Sequence, residues 1–283
     1  MTILALAALF LAAPSADAAT DCWQAEWCRP ATPFRIVGNV YYVGTEGLSA
    51  FLVTDPKGHV LIEGGLPRSA AQIAANVRAL GFRIEDVRYL LVDHAHFDHM
   101  GGLAELKRLS GAKLVAGVKD AADLEAGKAL IRPEQPSVPP VHVDRTVGEG
   151  DVLTLGATRL VSHATPGHTA GATSWTMTTI EGGKPVTVIF ASSLTVAGLK
   201  LEGNAGYPSA MADFRSSFAK LRSIKVDVFL SAHPGTFGMA AKQARLAGDP
   251  LAFVDPTELR RTVDSAERDF QAALAEQRQP KAQ

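Results

Sequence analysis

The stretch Val92-Asp93-His94-Ala95-His96-Phe97-Asp98-His99-Met100-Gly101-Gly102 decides how the rest of the chain is read. Four metal-capable side chains, His94, His96, Asp98 and His99, fall within six residues, and three of the chain's eight histidines are among them. The apolar run before it, Val87-Arg88-Tyr89-Leu90-Leu91-Val92, has the length and the aromatic and β-branched content of a buried strand. Side chains two apart on an extended backbone share a face, so His94 and His96 aim at one point. Met100-Gly101-Gly102-Leu103-Ala104-Glu105-Leu106-Lys107 then opens a helical pattern. The chain must turn at Asp98 and His99, which aim at a second point beside the first. A helix start behind them favours any anion held there. Neutral imidazole and carboxylate suit zinc, at roughly 2.0–2.2 Å per bond. A polar loop with incidental histidines is the plain alternative, and the crowding of ligand types argues against it.

Lys and Arg number 28 against 29 Asp and Glu, so no basic stripe points to nucleic acid or an anionic membrane surface. With 283 residues, 47% of them hydrophobic, there is material for one large core or two layered halves. Residues 3–13 form an apolar block too short to span a bilayer, followed by Ala16-Asp17-Ala18 as a small-x-small cleavage site. Residues 1–18 therefore read as a secretory signal peptide, residues 19–283 as a single domain, and the mature chain as periplasmic, although the basic residue usual near such a start is missing. The two cysteines, Cys22 and Cys28, lie just past that site. In an exported chain a disulfide closing this short loop is the expected state. No lipoprotein box precedes Cys22, so no membrane anchor is expected.

Phe34 to Val43 gives strand patterns punctuated by Gly38-Asn39. Leu48 to Thr54 and His59 to Ile62 make a hairpin around the turn Asp55-Pro56-Lys57-Gly58, which leaves His59 as a solvated turn residue. Ser69 to Leu80 is helical and stops at Gly81. A helix from Gly101 to about Ser110 and a strand from Lys113 to Ala116 follow the histidine motif. Residues 117–150 are less regular, with a proline-rich loop over 132–140; His142, just after it, reads as structural or exposed. Strands recur at Val152 to Leu155, Arg159 to His163, Ser174 to Thr179, Val186 to Phe190 and Val226 to Ser231. Helical patterns run from Ala210 to Arg222 and Pro256 to Gln277. Strands followed by helices, twice, with no Gly- or Ser-rich linker, imply two sheets packed face to face with helices outside.

Two further strand ends carry histidine: Thr165-Pro166-Gly167-His168-Thr169-Ala170-Gly171 and Ser231-Ala232-His233-Pro234-Gly235. With the first motif they resemble the metallo-β-lactamase superfamily, whose signature is His-x-His-x-Asp-His. The resemblance implies an αββα sandwich with its site at the strand ends. It implies His94, His96 and His168 on one zinc, and Asp98, His99 and His233 on a second. Each site keeps a position open for water, which marks catalytic zinc. His163 lies within a strand and reads as a hydrogen-bonded histidine in a supporting role rather than a ligand.

Within the superfamily, Ile189-Phe190-Ala191-Ser192-Ser193-Leu194-Thr195 discriminates. Glyoxalase-II-like hydrolases and most lactonases carry an aspartate here that bridges both metals, and the most familiar β-lactamase branch carries a cysteine. Serine at this point resembles the subclass B3 metallo-β-lactamases, as do Leu201 to Pro208 and Phe214 to Phe218. Ser192 departs from the aspartate frequent in that subclass. The resemblance implies a hydrolase that opens the β-lactam amide of penicillins, cephalosporins and carbapenems with hydroxide generated on two Zn2+, conferring antibiotic resistance. Asp98 orients the nucleophile; Ser193 and Thr195 either hydrogen-bond the substrate carboxylate or are ordinary strand-end hydroxyls. A small-molecule β-lactam is then the partner, and a monomer the expected state. An acyl-homoserine lactone lactonase or thioester hydrolase on the same fold is the rival reading. A zinc-dependent binding protein without turnover is a third.

Overall fold

The computed structural model describes residues 22–279; the expected signal peptide lies outside them. The apolar runs become two sheets. The first joins β1 Phe34–Val37, β2 Val40–Tyr42, β3 Phe51–Asp55, β4 Gly58–Ile62, β5 Val87–Leu91, β6 Lys113–Gly117 and β7 Arg145–Val147, in that spatial order. β1 to β4 are antiparallel neighbours, and β4 to β7 run parallel. The second joins β8 Val152–Leu155, β9 Thr158–Ala164, β10 Thr173–Glu181, β11 Lys184–Ala191 and β12 Val228–Ser231, with β12 parallel to β11 at one edge. Helices α1 Ala25–Cys28, α2 Ser69–Ala79, α3 Phe97–Met100, α4 Leu103–Ser110, α5 Ala121–Ala126, α6 Ala210–Ser223, α7 Met239–Arg245 and α8 Glu258–Gln277 complete the chain.

The near-continuous apolar strands have a physical reason: the first sheet is covered on both faces. Along β3, Phe51 and Val53 belong to the core shared with Trp175, Val188 and Phe190 of the second sheet, while Leu52 between them meets the other core. There Leu61, Leu90 and Leu114 pack with Ile73 and Val77 of α2 and Leu103 and Leu106 of α4. On the far side, Phe214 and Phe218 of α6 pack around Phe270 of α8, with ring centroids 5.3 and 5.7 Å away. Each such fully buried ring contributes about 1.5–3 kcal/mol relative to exposure. The layers are helix, sheet, sheet, helix, the αββα sandwich that the resemblance implied.

Three details differ from the sequence expectation. His59 is not a solvated turn residue: the turn closes at Gly58, so His59 already lies inside β4, 9% exposed, paired with Val87 of β5 and 5.2 Å from the Phe82 ring. The irregular 117–150 segment contains α5 and the sheet edge β7, and α7 lies where no helix was expected. The helix expected from Gly101 starts at Leu103 as α4, and a separate short helix, α3, precedes it across Gly101-Gly102. A Cβ on Gly102 would lie 2.3 Å from the Gly64 carbonyl oxygen, so only glycine lets this turn close onto the end of β4.

Candidate metal centre

His94, His96, His168 and His233 sit just past a strand end or on the turn that follows it, and His99 on the short helix after β5. β5 delivers His94 and His96, α3 carries Asp98 and His99, the β9–β10 turn carries His168, and β12 leads into His233. The first sheet thus supplies four of these side chains and the second sheet two. The structure gathers them into two adjacent triads, His94-His96-His168 and Asp98-His99-His233, with the candidate donor atoms of each within 4.8 Å of one another. In the first, the ring centroids lie 4.5–4.8 Å apart. In the second, His99 Nε2 is 3.2 Å from both Asp98 Oδ2 and His233 Nε2. His94 and His99 rings, 4.3 Å apart, join the triads.

Of the opposite ring nitrogens, those of His94, His168 and His233 are hydrogen-bonded, and that of His99 faces a carboxylate. His94 Nδ1 donates to Asp93 Oδ1 at 2.5 Å, and His168 Nδ1 to the Thr195 carbonyl at 2.6 Å. His99 Nδ1 lies 3.0 Å from Glu63 Oε2, and His233 Nδ1 3.3 Å from the Gly47 carbonyl. The carbonyls of Thr195 and Gly47 only accept, so they fix the Nδ1–H tautomer of His168 and His233 and turn their Nε2 lone pairs into the triads. His94 Nε2 and His96 Nε2 are buried and have no hydrogen-bond partner. A buried polar atom left unpaired is costly, and a cation between these lone pairs removes the cost. Imidazole with carboxylate is a donor set suited to zinc, so the residues fit that ion.

The triads differ electrostatically. Burial, reinforced by the neighbouring histidines, pushes His94 and His96 well below the usual imidazole range, and burial takes His168 down to about 4. These rings stay neutral and ready to donate lone pairs. Burial also opposes charge on His99, but Asp98 and Glu63 outweigh it and hold its pKa well above the ordinary value. In the same triad burial, with the charge of His99, takes His233 down to about 4, so the second triad favours positive charge at His99 alone.

Three buried carboxylates went unread in the sequence. Glu63 adopts φ +75°, accepts the Asp93 amide at 2.8 Å and faces His99; burial, with the charge of Asp93, pushes its carboxyl up to about 8. Asp93 orients His94, and burial raises it to about 7. Asp120 accepts from the Ala95 amide at 2.9 Å, and from Thr169 Oγ1 and the Gly171 amide, both at 2.7 Å, so it ties the His94 and His168 loops together. Gly171 must be glycine for that approach, since a Cβ would lie 2.3 Å from the Asp120 nitrogen. The only signal in the sequence for Glu63 and Asp93 is a carboxylate ending an apolar run.

Ser193 and Thr195 lie beside the second triad, their hydroxyls 3.0 Å apart. Thr195 also holds His168 through its backbone carbonyl. Ser192, in place of aspartate, donates its backbone amide to Ser174 Oγ, 3.0 Å away. His163 is not brought to the site; it bonds Thr176 Oγ1 at 2.8 Å. His142 is exposed and pairs with Glu125 at 2.9 Å. Cys22 and Cys28 come together with Cα atoms 5.9 Å apart, and the loop between them sets the Trp27 ring 5.7 Å from His233 and the Trp23 ring 4.9 Å from Phe97.

A family model for the metallo-β-lactamase superfamily matches residues 43–233, and the chain belongs to that superfamily. Its structural neighbours are subclass B3 enzymes. A subclass B3 metallo-β-lactamase of Bradyrhizobium japonicum is 41% identical at TM-score 0.86, with 89% of this chain and 97% of that one covered. A metallo-β-lactamase of Cronobacter sakazakii is 42% identical at TM-score 0.86, with 90% and 98% covered. A hydroxyacylglutathione hydrolase of Methylobacterium nodulans is 35% identical over 119 residues, 42% of this chain and 39% of that protein. The chain thus spans about two fifths of that relative's length.

Proposed function

We propose that this chain is a dizinc β-lactamase of the subclass B3 kind, hydrolysing the amide of penicillins, cephalosporins and carbapenems. The observation that carries this reading is the end of β11, where Ser192-Ser193 stands beside the two triads in place of a bridging carboxylate or a thiolate. Likeness to the subclass B3 structures over nearly their whole length supports it. The local match to hydroxyacylglutathione hydrolase keeps a thioester hydrolase as the second reading.

In this reading His94, His96 and His168 hold one zinc, and Asp98, His99 and His233 the other. Bound zinc supplies Lewis acidity for hydrolysis at neutral pH. The chain's own groups do the rest. Asp93 and the carbonyls of Thr195 and Gly47 orient His94, His168 and His233, and Glu63 faces His99. The Asp98 carboxylate, held well below the ordinary range by His99 against the opposing effect of burial, accepts a hydrogen bond from the attacking water and orients it. Ser193 and Thr195 donate their hydroxyls to the substrate carboxylate. The Trp27 and Phe97 rings, 6.1 Å apart, wall the site on the N-terminal side.

Residues 1–18 are removed on export in this proposal, and the mature domain works in the periplasm as a monomer with Cys22 and Cys28 disulfide-bonded. No helix among the described residues is long and apolar enough to cross a membrane. The test is hydrolysis of a chromogenic cephalosporin by the purified chain. Turnover should vanish on chelation and return with zinc, at two metals per chain by elemental analysis. A protein carrying both ions and inert toward every β-lactam class would defeat the proposal.

A further inference from the structure

A groove of about 490 Å³ opens beside the second triad. Its inner end is lined by His233, Ser193 and Thr195, and its floor by Phe229 and Leu194. The opposite wall is α8, which turns residues 258, 261, 262, 265, 266 and 269 toward it. This three-and-four spacing is one helical face. Apart from Glu258, the buried residues of the helix, Leu259, Val263, Phe270 and Leu274, lie off this face. An ordinary solvated helix face is the plain alternative. Against it, two lining residues from opposite walls are buried: Ser231 is 5% exposed and Glu258 8%.

The charges are unequally compensated. Glu258 is paired with Lys242, and Arg261 with Asp255 at 2.7 Å. Asp269 has no ion-pair partner among the described residues, so the outer end of the groove carries uncompensated negative charge.

We propose that this groove is a specificity subsite for the substituent a β-lactam carries beside its ring carboxylate, and that it favours a cationic one. The inference rests on the β-lactamase reading. If the scissile amide lies at the triads and the ring carboxylate on Ser193 and Thr195, the neighbouring substituent extends past those hydroxyls. The space beyond them is this groove, whose inner end the same residues line. Phe229 and Leu194 supply apolar contact for its stem, and Asp269 an opposite charge for its head.

The test uses the zinc-loaded full chain and two cephalosporins that share an acyl side chain. One carries a quaternary ammonium group beside the carboxylate, the other a methyl group. The ratio of their KM values is the readout, with kcat followed separately. Asp269→Asn should erode the preference for the cation by about two- to five-fold, the range for a solvent-exposed ion pair, and less so at high salt. Ser265→Trp, at an exposed position on the groove wall, should raise KM for the bulky cation at least about ten-fold relative to the methyl compound. Arg268→Trp, exposed and outside the groove, should leave the ratio at its wild-type value. Zinc content and thermal midpoints identify any variant that fails to fold. Turnover of both substrates with ratios unmoved by Asp269→Asn and Ser265→Trp overturns the subsite alone. No turnover of either substrate overturns the β-lactamase reading and the subsite with it.

Discussion

Glu63 occupies a left-handed backbone conformation, φ +75°, that costs a residue with a side chain about 1–2 kcal/mol. One carboxyl oxygen accepts the Asp93 amide and the other lies 3.0 Å from His99 Nδ1, so a single side chain stands against both triads. Glu63→Gln keeps the shape but replaces the ionisable carboxyl that faces His99, and weakens the hold on that ring. Groups that orient ligands this way typically contribute about 10–100-fold in metal affinity, and the second triad should lose that much. His233→Ala, which leaves that triad with two donors, should lose the second ion outright. Ser193→Ala should keep both ions and lose roughly ten- to a hundred-fold in catalytic efficiency, the worth of a hydrogen bond to a charged group. Competition with a chromogenic chelator, run on all three variants, checks the set. Loss of zinc from Ser193→Ala with retention in His233→Ala would reverse the assignment. The ligands were legible because residue type and local spacing announce them. Glu63 and Asp120 were not, because they act on partners 30 and 25 residues away, a relation set by the packing of strand ends rather than by spacing.

At the scale of elements, β3, β5 and β11 were readable from apolar runs, since a strand covered on both faces shows little else. His59 was misread because Asp55-Pro56-Lys57-Gly58 signals a turn but not where the partner strand takes over; pairing with β5 buries the histidine. Helices α5 and α7, of six and seven residues, are too short for periodicity to declare them. Helix α5 also carries a measurable electrostatic cost. Burial, with the charge of Asp120, pushes the Asp123 carboxyl up to about 6. An unfolded aspartate titrates near ~3.9, so the folded chain binds this proton more tightly. Its contribution is most favourable below that unfolded value and is lost as pH rises through about 6. Asp123→Asn removes the penalty and should gain on the order of 1–2 kcal/mol over wild type between about pH 4 and 7. Denaturant midpoints of the two proteins at both pH values measure the gap; an equal gap at both would contradict the assignment.

The whole molecule explains why the site needs both halves of the sandwich. The first sheet presents His94, His96, Asp98 and His99, and His168 and His233 arrive only when the second sheet packs against it. Metal binding is therefore linked to the folded state and should stabilise it by mass action. The near-balanced charge, 28 basic against 29 acidic residues, suits a small substrate steered by the site rather than by the surface field. The proposed reading turns on serine, rather than a bridging aspartate, at the end of β11, and the most direct measurement follows from it. One zinc-loaded preparation is given a carbapenem, a long-chain acyl-homoserine lactone and an acylglutathione thioester, and kcat/KM is determined for each. The carbapenem should be turned over with the highest kcat/KM, by at least about a hundred-fold, a difference of roughly 2.7 kcal/mol in transition-state stabilisation. A kcat/KM for the lactone or the thioester equal to or above that for the carbapenem would contradict the account.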